Sequence, residues 1–443
     1  MIAAAVRLAF VCFVVIGVAA PSATAQEPLR LTLEDAQTRA QQASHRLAEL
    51  RAREAAAIAT ADERATADRP QVAVQAGYTR TNHVEEFVVP GASGAAPRVL
   101  YPDVPDNWRS RLDLQWPIYT GGRTDALERA ARAEASAVAA DVASARADLR
   151  LEVARAFWAL VTARSSVAVL GRAVERAQAH VNDVRQRLDA GLVPPNEVAS
   201  AEAQESRQRM LAIEARNQRD VASADLARLI GESLSTPIEP AEGLEPAPGT
   251  TAAVDALVTE ARAARDDRRA FERRIEAAGE RRSAAAAGAL PTIAIAGGFD
   301  YARPNASIFP RADRWDDSWD ASINVSWSLW DGGRTKAEIA EATAGEEAAR
   351  QRLAEFDSVL ALEVRQRVLE IESGRAAIAA ANDSVRSAEE ARRVVAERFA
   401  AGVLTHTEVL DAQLALLQAE LDRTRALAAV RLSEARLARA TGR

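Results

Sequence analysis

The sequence predicts a mostly α fold with a smaller β part, in which long coiled-coil helices are joined to a transmembrane β-barrel shared between chains. Three observations carry this. Residues 124–190 run 67 positions with no proline and a single glycine, Gly171. Four segments of about ten residues alternate apolar with polar side chains. Both patterns occur twice, at a nearly constant offset.

The chain opens on a segment to be set apart from the fold. Arg7 precedes an apolar stretch, Leu8 to Ala20, and Ala23-Thr24-Ala25 is an A-x-A cleavage site, so residues 1–25 read as a signal peptide and Gln26 as the first mature residue. The rival is an N-terminal membrane anchor. Cys12, the one cysteine, falls inside this segment, so the mature chain is expected to have no disulfide and no lipid-bearing cysteine. A net charge of −7 provides no basic footprint for nucleic acid. Charged residues make up 27%, and no later apolar run is long enough for a bundle of membrane helices.

The repeat comes next. A shift of 211 positions lays Gly121-Gly122-Arg123-Thr124 on Gly332-Gly333-Arg334-Thr335, and RLDAG ending at Gly191 on RFAAG ending at Gly402. It also lays Ala227, Arg228 and Gly231 on Ala438, Arg439 and Gly442. Upstream, PQVAV from Pro70 matches PTIAI from Pro291 at 221, so the first copy carries about ten extra residues between Gly77 and Gly121. The boundaries read as a first repeat at 26–231, a Pro/Glu-rich linker at 232–251 and a second repeat at 252–443.

Each copy begins with an amphipathic helix, Leu33 to about Ala67 and Val254 to about Ala287. Two β segments follow, then a Gly-Gly turn, then the long helical stretch, which reaches about 100 Å at 1.5 Å per residue. Within it Val167, Leu170, Val174, Ala177, Val181, Val184 and Leu188 step 3,4,3,4, a coiled-coil seam. The second copy repeats the seam with Ile378, Ala381, Val385, Ala388, Val395 and Phe399, broken by Arg392. A free-standing coiled-coil dimer would explain the helices but not the strands.

In the strands, Leu112, Leu114, Trp116 and Ile118 alternate with Arg111, Asp113 and Gln115, and Ile323, Val325, Trp327 and Leu329 alternate with Ser322, Asn324, Ser326 and Ser328. Val72 and Val74, and Ile293, Ile295, Gly297 and Phe299, form the other two. Six of the seven tryptophans and all four tyrosines lie in or beside these segments. Aromatics at the ends of apolar-out, polar-in strands are the mark of an outer-membrane barrel, and Leu112, Leu114, Trp116, Ile323, Val325 and Trp327 are the expected membrane-facing residues. A soluble sandwich would need more strands. Four strands cannot close a barrel, and an open edge cannot sit in lipid, so several chains must contribute; the strand count alone does not choose two, three or more.

WPIYTGGRT from Trp116, SLWDGGRT from Ser328 and GVLTHTEVLDAQ from Gly402 resemble the TolC-type outer-membrane efflux proteins (outer membrane factors), over essentially the whole mature chain. The second motif is degraded in the first half, GLVPPNEVASAE from Gly191. The resemblance implies a homotrimer, four strands per protomer in one twelve-stranded barrel, continued by an α-helical tunnel across the periplasm. Gly121, Gly122, Gly332 and Gly333 would be the barrel-to-tunnel turns. Gly191, Leu192, Gly402, Val403, Leu404 and Thr405 would be hairpin tips that meet a periplasmic adaptor protein, itself serving an inner-membrane pump of RND or ABC type. Glu408, Asp411 and, by the repeat, Glu197 would ring the pore constriction; Asp411 pairs instead with Ser200. Thr405-His-Thr-Glu408 is also a helix capping box. The family's gate uses a tyrosine and an arginine near the second tip, where this chain has Phe399 and Leu404.

The function implied is the passive exit duct of a tripartite efflux system. One rival is the outer-membrane duct of a type I protein secretion system; another, of a different class, is a soluble periplasmic coiled-coil scaffold. No catalytic constellation, nucleotide loop or cofactor motif is present, so no enzyme and no cofactor are expected. His45, His83, His180 and His406 read as scattered. His83 with Glu85 and Glu86, and Asp313, Asp316, Asp317 and Asp320, read as solvated loops in preference to metal sites.

Overall fold

The computed structural model describes residues 28–94, 96–246 and 252–443. The signal-peptide reading of residues 1–25 lies outside the described residues, as does the last part of the linker.

The chain begins with β1 (Leu29–Leu31), α1 (Leu33–Ala43) and α2 (His45–Arg64). Strand β2 (Gln71–Arg80), a small hairpin of β3 (Phe87–Val89) and β4 (Arg98–Tyr101), and β5 (Asp106–Tyr119) follow. Then come the long helix α3 (Arg123–Asp189) and its return α4 (Pro195–Ile230). After β6 (Ile238–Pro240) the same order recurs: α5 (Val254–Ala264), α6 (Asp266–Ala286), β7 (Thr292–Arg303), β8 (Asp316–Ser326), α7 (Arg334–Ala400) and α8 (His406–Ala440). The β3–β4 hairpin occupies the extra residues of the first copy.

Each expected first helix is two helices. Ser44 takes an extended backbone (φ −70°, ψ 110°) and its hydroxyl accepts from Leu47 N–H, restarting the helix as α2. In the second copy the break is at Arg265, which is 6% exposed. Its guanidinium donates to Asp267, Glu363 and the carbonyl of Ala440, contacts that an unbroken helix would carry away. The breaks make room for chain ends. A Cβ on Gly231 would lie 2.5 Å from Ala43 Cβ, and one on Gly442 would lie 2.8 Å from Ala264 Cβ. The glycine that ends each repeat therefore docks on the last residue of that repeat's first helix.

The stretch read as a linker is built into the fold for its described part: β6 pairs in parallel with β1, and Ile238 and Leu244 are buried in the main core. That core gathers Leu47, Val153, Phe157, Leu160 and Leu226, with Phe157 edge-on to Trp158 at 5.1 Å. One window of α3 is apolar enough for a membrane span, but 56% of it is buried inside the protomer, which makes it a core helix.

The helices form layers. α4, α3, α8 and α7 neighbour one another in that order toward the tips, and α2, α3, α6 and α7 toward the sheet. α3 is interior in both layers and α7 is an edge in both. The sheet is antiparallel in the order β2-β5-β7-β8, with β2 and β8 as its free edges. Strand β8 ends at Ser326, so Trp327 and Leu329, expected inside it, lie beyond the strand. There the Trp327 indole N–H donates to Ala289 O at 3.1 Å. Trp116, its repeat equivalent, donates likewise to Asp68 O at 3.1 Å. Each indole ties its strand to the end of the preceding helix, in the first copy from within the ladder and in the second from just beyond it.

Candidate functional site: an amphipathic sheet and two hairpin tips

Register sorts the sheet into two faces. Val72 opposes Leu114, Val74 opposes Leu112, and Trp116 opposes Ile295, which in turn opposes Ile323. Phe299 and Trp319 continue the same face. It is exposed: Val74 is 73% and Ile323 is 71% accessible. Leu112, Trp116, Val325 and Trp327 are exposed with them, and Leu114 is half-buried.

The opposite face is polar and cross-linked. Asp300 accepts from Arg109 Nε (2.5 Å) and from Arg111 Nη1. Arg111 also donates to Asp113 (2.6 Å) and pairs with Asp320 at 2.9 Å. A Cβ on Gly298 would be 2.1 Å from Arg111 Nη2, so only glycine lets this side chain lie flat over β7 and join β5, β7 and β8. Asp320, read as part of an acidic loop, belongs to this network. Asp313 and Asp316 pair with Arg303 and Arg314, and His83 bonds Asp103 at 2.7 Å.

The Gly-Gly turns connect this sheet to the long helices. All four glycines have positive φ, from 66° to 90°, a backbone that side-chain-bearing residues rarely adopt. Asp331 closes the second turn, accepting from Gly333 N–H (2.9 Å), Thr335 N–H (2.8 Å) and the Thr335 hydroxyl (2.5 Å). These bonds hold its carboxyl down at about 2. Thr120 has the same place in the first turn, bonded to Thr124.

At the far end, α3 and α7 both finish in a Schellman turn. Gly191 N–H reaches Leu188 O and Leu192 N–H reaches Arg187 O; Gly402 reaches Phe399 O and Val403 reaches Arg398 O. Leu192 and Val403 are 72% and 71% exposed, while Leu404 is half-buried. Thr405 starts α8, and Glu408 folds back to accept from its N–H (2.8 Å) and hydroxyl (3.0 Å). Glu408 is therefore a capping residue here, whatever else it does. Asp411 is exposed, and its side chain has no hydrogen bond or ion pair among the described residues. Glu197 is half-exposed in the first turn of α4, close enough to act on the imidazole of His406.

The tips also hold residues that sequence reasoning left scattered. His180 of α3 and His406 of α8 are buried, 5% and 4% exposed, with Nε2 and Nδ1 at 2.8 Å. Phe399 packs on His180 at 5.4 Å, Arg187 lies over the Phe399 ring at 4.1 Å, and Val184 and Val409 complete the cluster. The signal was present but weak: His180 lies three residues after Ala177 and four before Val184, next to the seam residue Val181, so it flanks the apolar stripe.

An edge-open amphipathic sheet set on full-length coiled-coil helices defines a class, that of membrane ducts assembled from several chains. The chain belongs to the outer membrane efflux protein family, whose model matches residues 37–232 and 257–443. A search of curated proteins finds Protein CyaE of Bordetella pertussis, 27% identical over 223 residues, covering 50% of this chain and 46% of that protein. The chain thus spans about half the length of the curated relative it matches. Among solved structures, the outer membrane protein VceC of Vibrio cholerae superposes with a TM-score of 0.77 at 21% identity, covering 93% of this chain and 96% of that one. The open-state MtrE outer membrane channel of Neisseria gonorrhoeae gives 0.76 at 20%, covering 93% and 88%. The fold expected from the sequence, a mostly helical chain carrying long coiled-coil helices and barrel strands, is the fold these channels share.

Proposed function

We propose that three copies of this chain close into one outer-membrane duct, the exit of a tripartite efflux system that passes on substrates delivered by an inner-membrane pump and a periplasmic adaptor. The observation that carries the reading is the coincidence of free edges. The sheet ends at β2 and β8, and the helical layers end at α7 on one side and at α2 or α4 on the other. The outer helices expose apolar side chains: Ile58 on α2, Met210, Ile213 and Val221 on α4, and Val359, Leu362 and Leu369 on α7. One head-to-tail rotation would pair both kinds of edge at once, and in lipid the strand edges must pair.

In this reading the apolar sheet face meets lipid, the Arg111–Asp300 face lines the barrel, and the Gly-Gly turns mark its passage into the tunnel. The chain is then two tandem repeats, 26–231 and 252–443, joined by 232–251. Leu192, Val403, Leu404 and Thr405, with Gly191 and Gly402, form the surface offered to the adaptor. Asp411, Glu408 and Glu197 face the narrow periplasmic end, where rings of carboxylates focus a negative potential.

Mass measurement in detergent tests the assembly, with three chains expected and a stable membrane-inserted monomer excluding it. In planar bilayers the pore should prefer cations and be blocked by multivalent cations from the periplasmic side. The pair Asp411→Asn and Glu408→Gln should abolish both properties without loss of trimer. Unchanged selectivity in that variant removes these residues from the constriction. Glu408→Gln alone should preserve the cap, since Gln also serves there.

A further inference from the structure

We propose that the His180–His406 pair is an acid-released clasp, joining the two helical hairpins near their tips and so setting the width of the periplasmic end. The consequence for width rests on the duct reading above; the clasp itself does not. The two rings come from different hairpins, α3–α4 and α7–α8. They lie within 4° of parallel with centroids 4.8 Å apart, and they share one hydrogen bond.

That bond requires a lone pair on one ring facing an N–H on the other, so it needs at least one neutral imidazole. The surroundings favour two. His406 Nε2 is buried and has no hydrogen-bond partner among the described residues, so a charged N–H there would have no acceptor. His406 is also the first residue of α8, where the positive end of the helix dipole disfavours a cation. A second proton sets N–H against N–H and breaks the bond.

The charges facing the pair are few. Asp183 of α3 and Glu197 of α4 favour protonation, Arg187 of α3 opposes it, and α7 presents the neutral Phe399 ring. Burial outweighs the carboxylates: His180 is pushed down to about 4, and His406 is lowered for the same reason. Since the joined state holds the depressed value and a released imidazole has its ordinary one, the clasp is intact above the ordinary histidine range. It weakens as pH falls from there toward 4. Between pH 7.5 and 5.0 the bias toward release should grow on the order of tenfold. The residues at the family's tyrosine and arginine positions, Phe399 and Leu404, cannot form polar ties, and Phe399 instead buttresses His180.

Two readouts test this on the full-length protein in detergent and in planar bilayers. Spin labels on Leu192→Cys and Val403→Cys, diluted with unlabelled chains, report the distance between the hairpin tips. It should be short and narrow at pH 7.5 and longer and broader at pH 5.0. Conductance should rise over the same interval, by no more than that shift in bias. His180→Phe keeps a ring in the cluster but removes the bond and the more strongly shifted imidazole, and the double variant His180→Phe/His406→Gln removes both titrating rings. The pH response of distance and conductance should shrink in the first and vanish in the second. A wild-type protein whose tip distance ignores pH overturns the proposal, as does an unchanged pH response in either variant. If the distance responds but the inserted protein conducts no ions, the clasp stands and the duct reading falls.

Discussion

Helices α3 and α7 are twins in the sequence, each 67 residues long and each begun by Gly-Gly-Arg-Thr. They differ in what surrounds them. α3 buries 22 residues and α7 only 6, one of these a glutamate. α3 has a helix on either side along its whole length, whereas α7 has neighbours on one side only. The seam of α3 is accordingly buried at Leu170, Ala177, Val181 and Val184, while the matching seam of α7 is half-buried until Phe399. Equal helix-forming patterns thus serve two ends: α3 stabilises the protomer, and α7 is left with a face to give to a neighbour.

The largest effect should come from the interior helix. Phe157→Ala, at a side chain with no exposure, should destabilise the protomer by ~3–5 kcal/mol in denaturant unfolding. If it costs no more than an exposed α7 substitution, the contrast between the helices is wrong.

Next is the sheet face. Ile323→Arg should block barrel assembly at ~2–4 kcal/mol per copy, whereas Ser322→Arg, on the polar face, should assemble. Recovery of heat-resistant oligomer from membranes distinguishes the two, and equal recovery would reverse the assignment of faces.

The edge helix comes third. Leu362→Ala or Leu369→Ala should leave the protomer's circular dichroism unchanged but weaken the trimer by up to ~2 kcal/mol per copy, seen as chain exchange between labelled trimers. Exchange at the wild-type rate would mean that α7 is not covered by a partner.

The smallest effect separates the two helix starts. The Asp331 carboxylate helps hold the first turn of α7, and its lowered value makes that help complete above the ordinary carboxylate range and lost as pH falls toward 2. Thr120, at the start of α3, does not titrate. Hydrogen exchange between pH 5 and 2, corrected for intrinsic rates, should loosen the amides of Gly333 and Thr335 but not that of Thr124. Asp331→Asn should remove the difference.

Much of the architecture is legible because it depends on period. Alternation of two identifies the strands and separates their faces; steps of three and four identify the long helices; Gly-Gly-Arg-Thr locates the turn between them. The tips are legible too, since a glycine after a long helix and a capping box are local chemistry. The helix breaks are not. Ser44 is a plain capping residue in retrospect, but nothing near Arg265 announces that its guanidinium will be held by Glu363 and the carbonyl of Ala440. Likewise the glycines ending each repeat align in the sequence, but their reason, contact with Ala43 and Ala264, lies 188 and 178 positions away in the chain.

By itself the sequence determined the long helices, the four sheet strands, their recurrence and their two-faced character, because these follow from the spacing of side chains along one strand or helix. Only the tertiary structure decided which of two matching helices is interior and which is an edge, that Glu408 folds back onto its own helix start, and that two histidines 226 positions apart share one hydrogen bond. Those outcomes depend on which elements become neighbours. A helix carries the same pattern whether one side of it is covered or both, and a lone histidine reads the same in sequence whether or not another will meet it.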